Sequence, residues 1–508
     1  MKGQASEMCG ATGQQTTQDQ TPRRVLAVDL DGTLICSDML AESFWQAMAQ
    51  DWSRALRALM ALRRGRAALK AALAGVACPD PALLPYNPAV LAEIDAWRAA
   101  GGQVVLVSAA DQHLAAAVAA HLGVFDAVHG SDGQRNLKGA EKAAFLRARY
   151  GAGGYVYIGD SAADLPVWAG ACGAVTVGAS ASLRARLEAQ QGPQPQGPQP
   201  RGAESPARVR HLPGGQGGAR AALRAMRPHQ WLKNLLVFAP MVAAQEFAAP
   251  ALLQSLLAFA AFALVASSVY LLNDLLDLQA DRAHPRKRER PLASGALALV
   301  HGMAMVPVLL VAGLALALAL SPLFLAVLLG YYALTLAYSV WLKRKVLIDI
   351  FVLAALYALR VVAGAAATAI VLSVWLVAFS VFFFLALAAV KRQAELVDAA
   401  QRGLTDPAGR GYRLGDLPIV SQMAIASGFV AVLVMMLYLN SPEVLSRYSR
   451  PDMLWGACLV MLYWLARMVM VAHRGRMHDD PVVFAARDRV SLICFALMVA
   501  LFGGASMP

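Results

Sequence analysis

The sequence predicts two folds in one chain: an α/β domain built on a parallel sheet, and an all-α bundle crossing a membrane about nine times. Three observations carry this. Residues 25–178 alternate short apolar runs with helical stretches, the pattern of parallel strands joined by crossover helices. Residues 231–508 contain apolar runs of about 20 residues, each long enough to span a hydrocarbon core. Between them, 190-QQGPQPQGPQPRGAESPARVRHLPGGQGG-218 is too rich in Pro, Gln and Gly to build a core and reads as a flexible tether. The apolar fraction of 58% and mean hydropathy of +0.49 exceed those of ordinary soluble proteins.

Residues 1–22 are polar and Gly-rich, without the basic and apolar regions of a signal peptide, and are expected to be disordered. The α/β domain is placed at 23–182, with strands at 25-VLAVDL-30, 104-VVLVS-108, 155-YVYIGD-160 and 174-AVTVG-178. A helical insert rich in Ala, Leu and Arg is expected at about 41–98. The tether is assigned to 183–219 and the bundle to 220–508. Six scattered cysteines with no paired spacing suggest a reducing compartment and no metal knuckle.

Nine candidate spans follow, at roughly 232–246, 250–275, 297–320, 322–342, 346–367, 373–396, 418–439, 452–472 and 489–505. The loops on one side hold seventeen Lys and Arg residues, among them Arg410; those on the other hold Arg447 and Arg450. This imbalance places the first domain in the cytoplasm, beside a multi-pass inner membrane. The net charge of +12 is thereby explained by cytoplasmic loops, and nucleic acid is not expected as a partner.

Asp29-Leu30-Asp31-Gly32-Thr33 ends the first strand, where open parallel sheets place their chemistry. Ser108 ends the next strand, Lys138 follows in 136-NLKG-139, and Asp160 opens 159-GDSAAD-164. Phosphoryl transfer needs an in-line nucleophile, a proton donor for the leaving oxygen and positive charge for the equatorial oxygens. The ordered set resembles the haloacid dehalogenase superfamily, a Rossmann-like fold, over about residues 23–182, and the insert resembles its small helical cap. The resemblance implies that Asp29 is the nucleophile and Asp31 the acid/base, with Ser108 and Lys138 holding the phosphoryl group. It also implies a Mg²⁺ site of Asp29, the Asp31 carbonyl and Asp160, supported by Asp164.

In the membrane part, Asn273, Asp277 and Asp281 recur every four residues on one helical face at a cytoplasmic helix end, with Asp274 beside them as part of the catalytic set. Carboxylates next to apolar spans are costly and mark function. The basic 284-HPRKRERP-291 follows. Together these suit a magnesium–diphosphate complex.

The NDxxDxxxD pattern resembles the UbiA family of membrane prenyltransferases across about 220–508. A narrower resemblance, to the decaprenyl-phosphate phosphoribosyltransferase branch, rests on 227-RPHQWLKNLLVFAP-240, 338-YSVWLKRKVLIDI-350, Arg360 with Gly364, and 391-KRQAEL-396 with Tyr412 and Arg413. Aromatic prenyltransferases carry a second DxxxD, of which only Asp349 remains here, position 353 being Leu. The resemblance implies metal contacts from Asn273, Asp277, Asp281 and Asp349. It implies phosphate contacts from Lys233, Lys287, Arg290, Tyr338, Lys343, Arg360, Lys391 and Arg392.

The substrates implied are a polyprenyl lipid and a phosphorylated sugar or diphosphate. One reading is phosphoribosyl transfer to polyprenyl phosphate followed by removal of the 5-phosphate. Another is prenyl transfer to an aromatic acceptor with an independent phosphatase; a third makes the first domain a regulatory scaffold. The 477–489 loop, with Asp479 and Asp480, either covers the site or faces water.

Overall fold

The computed structural model describes residues 25–132, 135–191, 209–215, 217–403, 411–442, 444, 448–477 and 480–506. The stretch expected to be disordered at 1–22, together with Arg410, Arg447 and Asp479, lies outside the described residues. The chain divides into two compact units, Met1–Gln216 and Gly217–Pro508.

In the first unit, strands β1 (Val25–Val28), β2 (Gln103–Asp111), β3 (Ala127–Ser131), β4 (Tyr155–Gly159), β5 (Gly173–Val177) and β6 (Val209–Leu212) form one sheet in the order 3-2-1-4-5-6. Every neighbouring pair is parallel. Leu26 and Val28 enter one buried cluster, Val25 and Ala27 another, so both faces of β1 are covered, as a parallel sheet requires. The order reverses between β1 and β4, and crevices for ligands open at the carboxyl ends of such a pair. Asp29 follows β1 and Asp160 follows β4.

Three elements differ from expectation. Strand β3 is not among the four strands expected, helix Ala181–Gln191 runs on into the stretch read as tether, and strand β6 falls inside that stretch. β6 sits at the sheet edge with largely half-buried residues, so it lacks the apolar run that marks a central strand. Thr176 Oγ1 lies 2.7 Å from His211 Nδ1, and Arg210 donates to both Glu93 oxygens, at 2.7 and 2.8 Å. The helical insert also ends sooner. Ala47, Ala55, Ala58, Leu69, Leu73 and Ala77 form its small core, whereas helix Pro88–Ala99 packs Val90 and Ile94 on the sheet.

In the second unit, eight helices among the described residues are long and apolar enough to cross a membrane: Ala249–Leu276, Leu299–Leu320, Pro322–Val340, Ile348–Thr368, Val374–Gln401, Leu414–Leu439, Met453–His473 and Arg489–Ser506. Ala249–Leu276 and Ile348–Thr368 are the most enclosed, 61% of each apolar window being buried against 11% for Leu299–Leu320. The first expected span, 232–246, is instead a 3₁₀ helix of 11 residues, Pro228–Phe238, running into the six-residue α-helix Ala239–Ala244. It packs on Ile348–Thr368 so closely that a Cβ on Gly364 would lie 1.9 Å from the Val237 carbonyl oxygen.

Candidate functional site

In the first unit the tight turn after β1 builds the site. Gly32 has φ +73°, and a Cβ there would lie 2.3 Å from Asp160 Oδ2, so this position needs glycine for backbone and for space. The turn aims Asp29 at Asp160 and Asp164, whose ligand oxygens all lie within 4.8 Å of one another. Leu30 N–H donates to Asp29 Oδ1 at 2.8 Å, and Lys142 Nζ lies 2.9 Å from the same oxygen. Lys142 also donates to the Tyr157 hydroxyl at 2.8 Å, which donates to Asp164 Oδ1 at 2.9 Å. Ser161 holds the other Asp164 oxygen through its N–H and hydroxyl. The register Val28↔Leu106 sets buried Ser108 level with this turn.

Three carboxylates thus share one buried ammonium, and they are left short of positive charge. Burial raises the Asp29 pKa, with Asp164 adding to the effect and Lys142 opposing it. Burial, then Asp29 and Asp164, pushes Asp160 up to about 7. This all-oxygen donor set fits a hard divalent ion. Asp31 accepts from Met39 N–H at 2.8 Å, and burial and the Asp38 charge hold it well above the usual carboxylate range. A carboxyl whose affinity for a proton is raised in this way is suited to donating one.

Lys138, expected to hold the phosphoryl group, is exposed, and the buried ammonium beside Asp29 is that of Lys142. Lys142 stands on helix Ala140–Tyr150, one turn beyond Lys138. Its 142-KAAFL-146 context reads as a helix face carrying a solvated lysine, so only packing against β4 reveals it.

In the second unit the acidic motif lies where helix Ala249–Leu276 ends at Asp277 and Leu278–Ala283 resumes. The i to i−4 bonding continues across this break, from Asp277 N to Asn273 O and from Asp281 N to Asp277 O, both 2.8 Å. Asp274 is buried and bound by Arg227 and by Arg290, the latter at 3.0 Å. Arg290 also binds Asp281, and Lys287 Nζ lies 3.8 Å from Asp281 Oδ1. That buried oxygen has no hydrogen-bond partner, and Asp277 is exposed. Asp277 and Asp281 therefore retain capacity for a cation, while Asp274 is compensated by arginine. Among the described residues, three close ligand atoms for a metal meet only at Asp29, Asp160 and Asp164.

A second cluster gathers residues that are far from the acidic motif and from one another in sequence. Asp480, near the end of the chain, accepts from Lys233 at 2.8 Å, from Lys391 at 3.1 Å and from Tyr357 at 2.8 Å. Burial alone would raise the Asp480 carboxyl, but the two lysines outweigh it and hold it far below its ordinary value. Arg360 donates to Asn234 Oδ1 at 3.1 Å and to the Tyr331 hydroxyl at 2.9 Å, and packs over Tyr357. Tyr338 is half-buried within electrostatic reach of Lys391, and Lys343 is half-buried on the turn Leu342–Arg344.

Asp349 and Arg392 do not join this cluster. Arg392 Nη2 lies 2.5 Å from Asp349 Oδ2, and Tyr412 donates to Asp349 Oδ1 at 2.6 Å. Both charged side chains are almost fully buried, so they form an internal ion pair between helices. The expected metal role of Asp349 and phosphate role of Arg392 have no support in this arrangement.

Comparison with known proteins agrees with both units. The profile of the UbiA prenyltransferase family matches residues 234–503, and that of haloacid dehalogenase-like hydrolases matches residues 26–168. A Sinorhizobium fredii protein, y4nM, is 39% identical over 482 residues, covering 94% of this chain and 90% of its own. The nodulation protein NoeC of Azorhizobium caulinodans is 39% identical over 272 residues, 53% of this chain and 88% of that protein. The decaprenyl-phosphate phosphoribosyltransferase of Mycolicibacterium smegmatis is 32% identical over 291 residues, 56% of this chain and 91% of that protein. This chain belongs to the UbiA prenyltransferase family, as a multi-pass membrane enzyme that also carries a haloacid dehalogenase-like hydrolase domain.

Proposed function

We propose that the membrane unit transfers 5-phosphoribosyl from phosphoribosyl diphosphate to a polyprenyl phosphate, and that the first unit then removes the 5-phosphate. One observation carries the choice of donor. Asp349, the remaining residue of a second acidic motif, is consumed by Arg392 and Tyr412, and position 353 is Leu. That leaves one acidic motif, enough for one metal–diphosphate.

The chemistry balances without a base in the membrane unit. An oxygen of the lipid phosphate, already anionic, attacks the anomeric carbon, and the bond to diphosphate breaks with its electron pair on the departing oxygen. Lys233, Lys391 and Arg360 are the cations proposed to hold the lipid phosphate, and Lys287 and Arg290 to hold the diphosphate. In the first unit Asp29 attacks phosphorus, Asp31 gives its proton to the leaving 5-hydroxyl, and water, deprotonated by Asp31, releases phosphate from the aspartyl ester. Magnesium held by Asp29 and Asp160, and by Asp277 and Asp281, would supply positive charge to the phosphate oxygens.

A further feature suits a lipid substrate. A cavity of about 700 Å³ lined by Pro240, Phe247, Trp375, Phe379, Tyr438 and Phe502 opens at the end of the bundle away from the acidic motif. The excess of Lys and Arg on one side of the spans supports an inner-membrane topology with the first unit in the cytoplasm.

Membranes incubated with polyprenyl phosphate and labelled phosphoribosyl diphosphate should yield a labelled lipid. No labelled lipid, with transfer instead from a prenyl diphosphate to an aromatic acid, would overturn the proposal.

A further inference from the structure

Part of the helical insert carries its small residues inward and its large ones outward. Helix Trp52–Leu59 and the 3₁₀ helix Met60–Arg64 that follows it bury Ala55, Ala58 and Ala61. Trp52, Leu56, Leu59, Met60 and Leu62 are exposed, by 64%, 46%, 36%, 63% and 52%. Among the described residues, these five are the only exposed large apolar side chains of the first unit. Apolar residues scattered singly on a surface are ordinary, but a contiguous set marks a face that meets a partner. Trp52, Leu56 and Leu59 recur four and three residues apart, and Met60 lies four beyond Leu56, so they share one stripe of the helix.

The same stretch is strongly basic. From Trp52 to Arg66 there are five arginines and no acidic residue, and all five are exposed. Arg54 lies 3.3 Å from Asp51, the residue that caps the helix; the others extend from a segment with no acid of its own. An apolar stripe headed by tryptophan and flanked by arginines suits a bilayer interface. Leucine and methionine enter the acyl boundary, the indole sits at headgroup level, and guanidinium groups meet anionic headgroups. A soluble protein could cover the stripe, but only with a strongly acidic rim. The second unit of this chain has eight helices that can cross a membrane, so a bilayer accompanies every copy of the first.

We propose that residues 52–66 of the insert form a docking surface for an anionic lipid bilayer. Trp52, Leu56 and Met60 are its apolar anchors, and Arg57, Arg63 and Arg64 bind the headgroups. Docking holds the phosphatase-like domain at the lipid surface instead of leaving it free on its connection to the bundle. The proposal does not depend on the reaction proposed above, since any lipid-linked phosphomonoester is met at that surface.

The test uses the full-length protein in nanodiscs of phosphatidylcholine, alone or mixed with phosphatidylglycerol, with brominated acyl chains as the quencher. Trp52 is one of nine tryptophans, so its emission is read as the difference between the wild-type protein and Trp52→Phe. That difference should be quenched in anionic discs, and much less in neutral discs or at high salt. Leu56→Ser combined with Met60→Ser should abolish the quenching. Arg63→Gln and Arg64→Gln should each weaken docking about fivefold, the scale of one cation at an anionic surface, and they serve where the double variant fails to fold. All these side chains are exposed, so hydrolysis of a soluble aryl phosphate should be unchanged and reports that the first unit stays folded. A Trp52 quenched in neither disc, or equally in both, would overturn the proposal. So would an emission that is blue-shifted but unquenched and depends on the number of copies per disc, which would assign the face to a second copy of this chain. Lipid turnover is not part of the readout, so failure of the proposed transfer leaves the docking surface standing.

Discussion

Lys233 donates to Asp480 at 2.8 Å across 247 residues of sequence, and so ties the 3₁₀ helix Pro228–Phe238 to the loop before the last helix. With Lys391 and Tyr357 on the same carboxylate, the pair closes a cationic cluster around one protein anion. A phosphate entering this cluster competes with Asp480 or adds to it.

Asp480→Asn should therefore expose unpaired buried lysine charge. Breaking a buried pair costs about 3 kcal/mol, so thermal unfolding should begin at lower temperature. Added geranyl phosphate, a short polyprenyl monophosphate, should restore more of the lost stability in the variant than it adds to the wild-type protein. Equal stabilisation of both would show that Asp480 and the phosphate do not share the cluster.

Asp29→Asn should stop dephosphorylation and leave transfer intact, so that lipid retaining its 5-phosphate accumulates in labelled membranes. Lys142→Met should lower phosphatase kcat by about a hundredfold or more, the scale of removing one charged group that stabilises a transition state. Lys138→Met should not, because Lys138 is exposed and Lys142 holds Asp29. Chromatography of the labelled lipids separates these outcomes.

Magnesium binding in the first unit should depend on pH. Asp160, raised to about 7 by burial and by Asp29 and Asp164, must lose its proton to bind a cation. Below pH 7 affinity should fall about tenfold per unit or more steeply, since Asp29 is raised as well. Above pH 7 the Asp160 contribution should flatten. Calorimetric titration of magnesium between pH 5.5 and 8.5, in buffers of different protonation enthalpy, reads both the affinity and the released proton; a flat profile would contradict the arrangement.

Asp349→Asn should behave as a packing mutation. It removes one of the two carboxylates paired with buried Arg392, Glu395 remaining, so stability should drop by at most about 3 kcal/mol. The magnesium concentration that half-activates transfer should stay where it is. A large rise in that concentration would return Asp349 to the metal site.

Gly364→Ala should prevent the 3₁₀ helix Pro228–Phe238 from docking on Ile348–Thr368. The added Cβ would lie 1.9 Å from a backbone oxygen, which no rotamer change relieves, and overpacking of this kind costs about 1–3 kcal/mol or more. Loss of transferase with retained phosphatase, in protein recovered from membranes, would locate the damage in the bundle.

Much of this protein was legible in its sequence because the signals are local. The four strands at 25–30, 104–108, 155–160 and 174–178 stood out because a strand buried on both faces is a continuous apolar run. Asp29, Asp31 and Asp160 follow strand ends, and the long apolar helices announce themselves by length. β6 was hidden, because a half-exposed edge strand inside a Pro- and Gly-rich stretch has no apolar run to show.

The partnerships of charge belong to the tertiary structure. Sequence placed Asp349 with the metal ligands, Arg392 with the phosphate contacts, Lys138 on the phosphoryl group and Asp480 in a charged loop. Packing paired Asp349 with Arg392, put Lys142 on Asp29, and drew Lys233 and Lys391 onto Asp480. A residue's type and spacing show that it can carry charge. Which opposite charge it meets depends on helices brought together from distant parts of the chain, and burial then makes each such pairing too costly to leave unsatisfied.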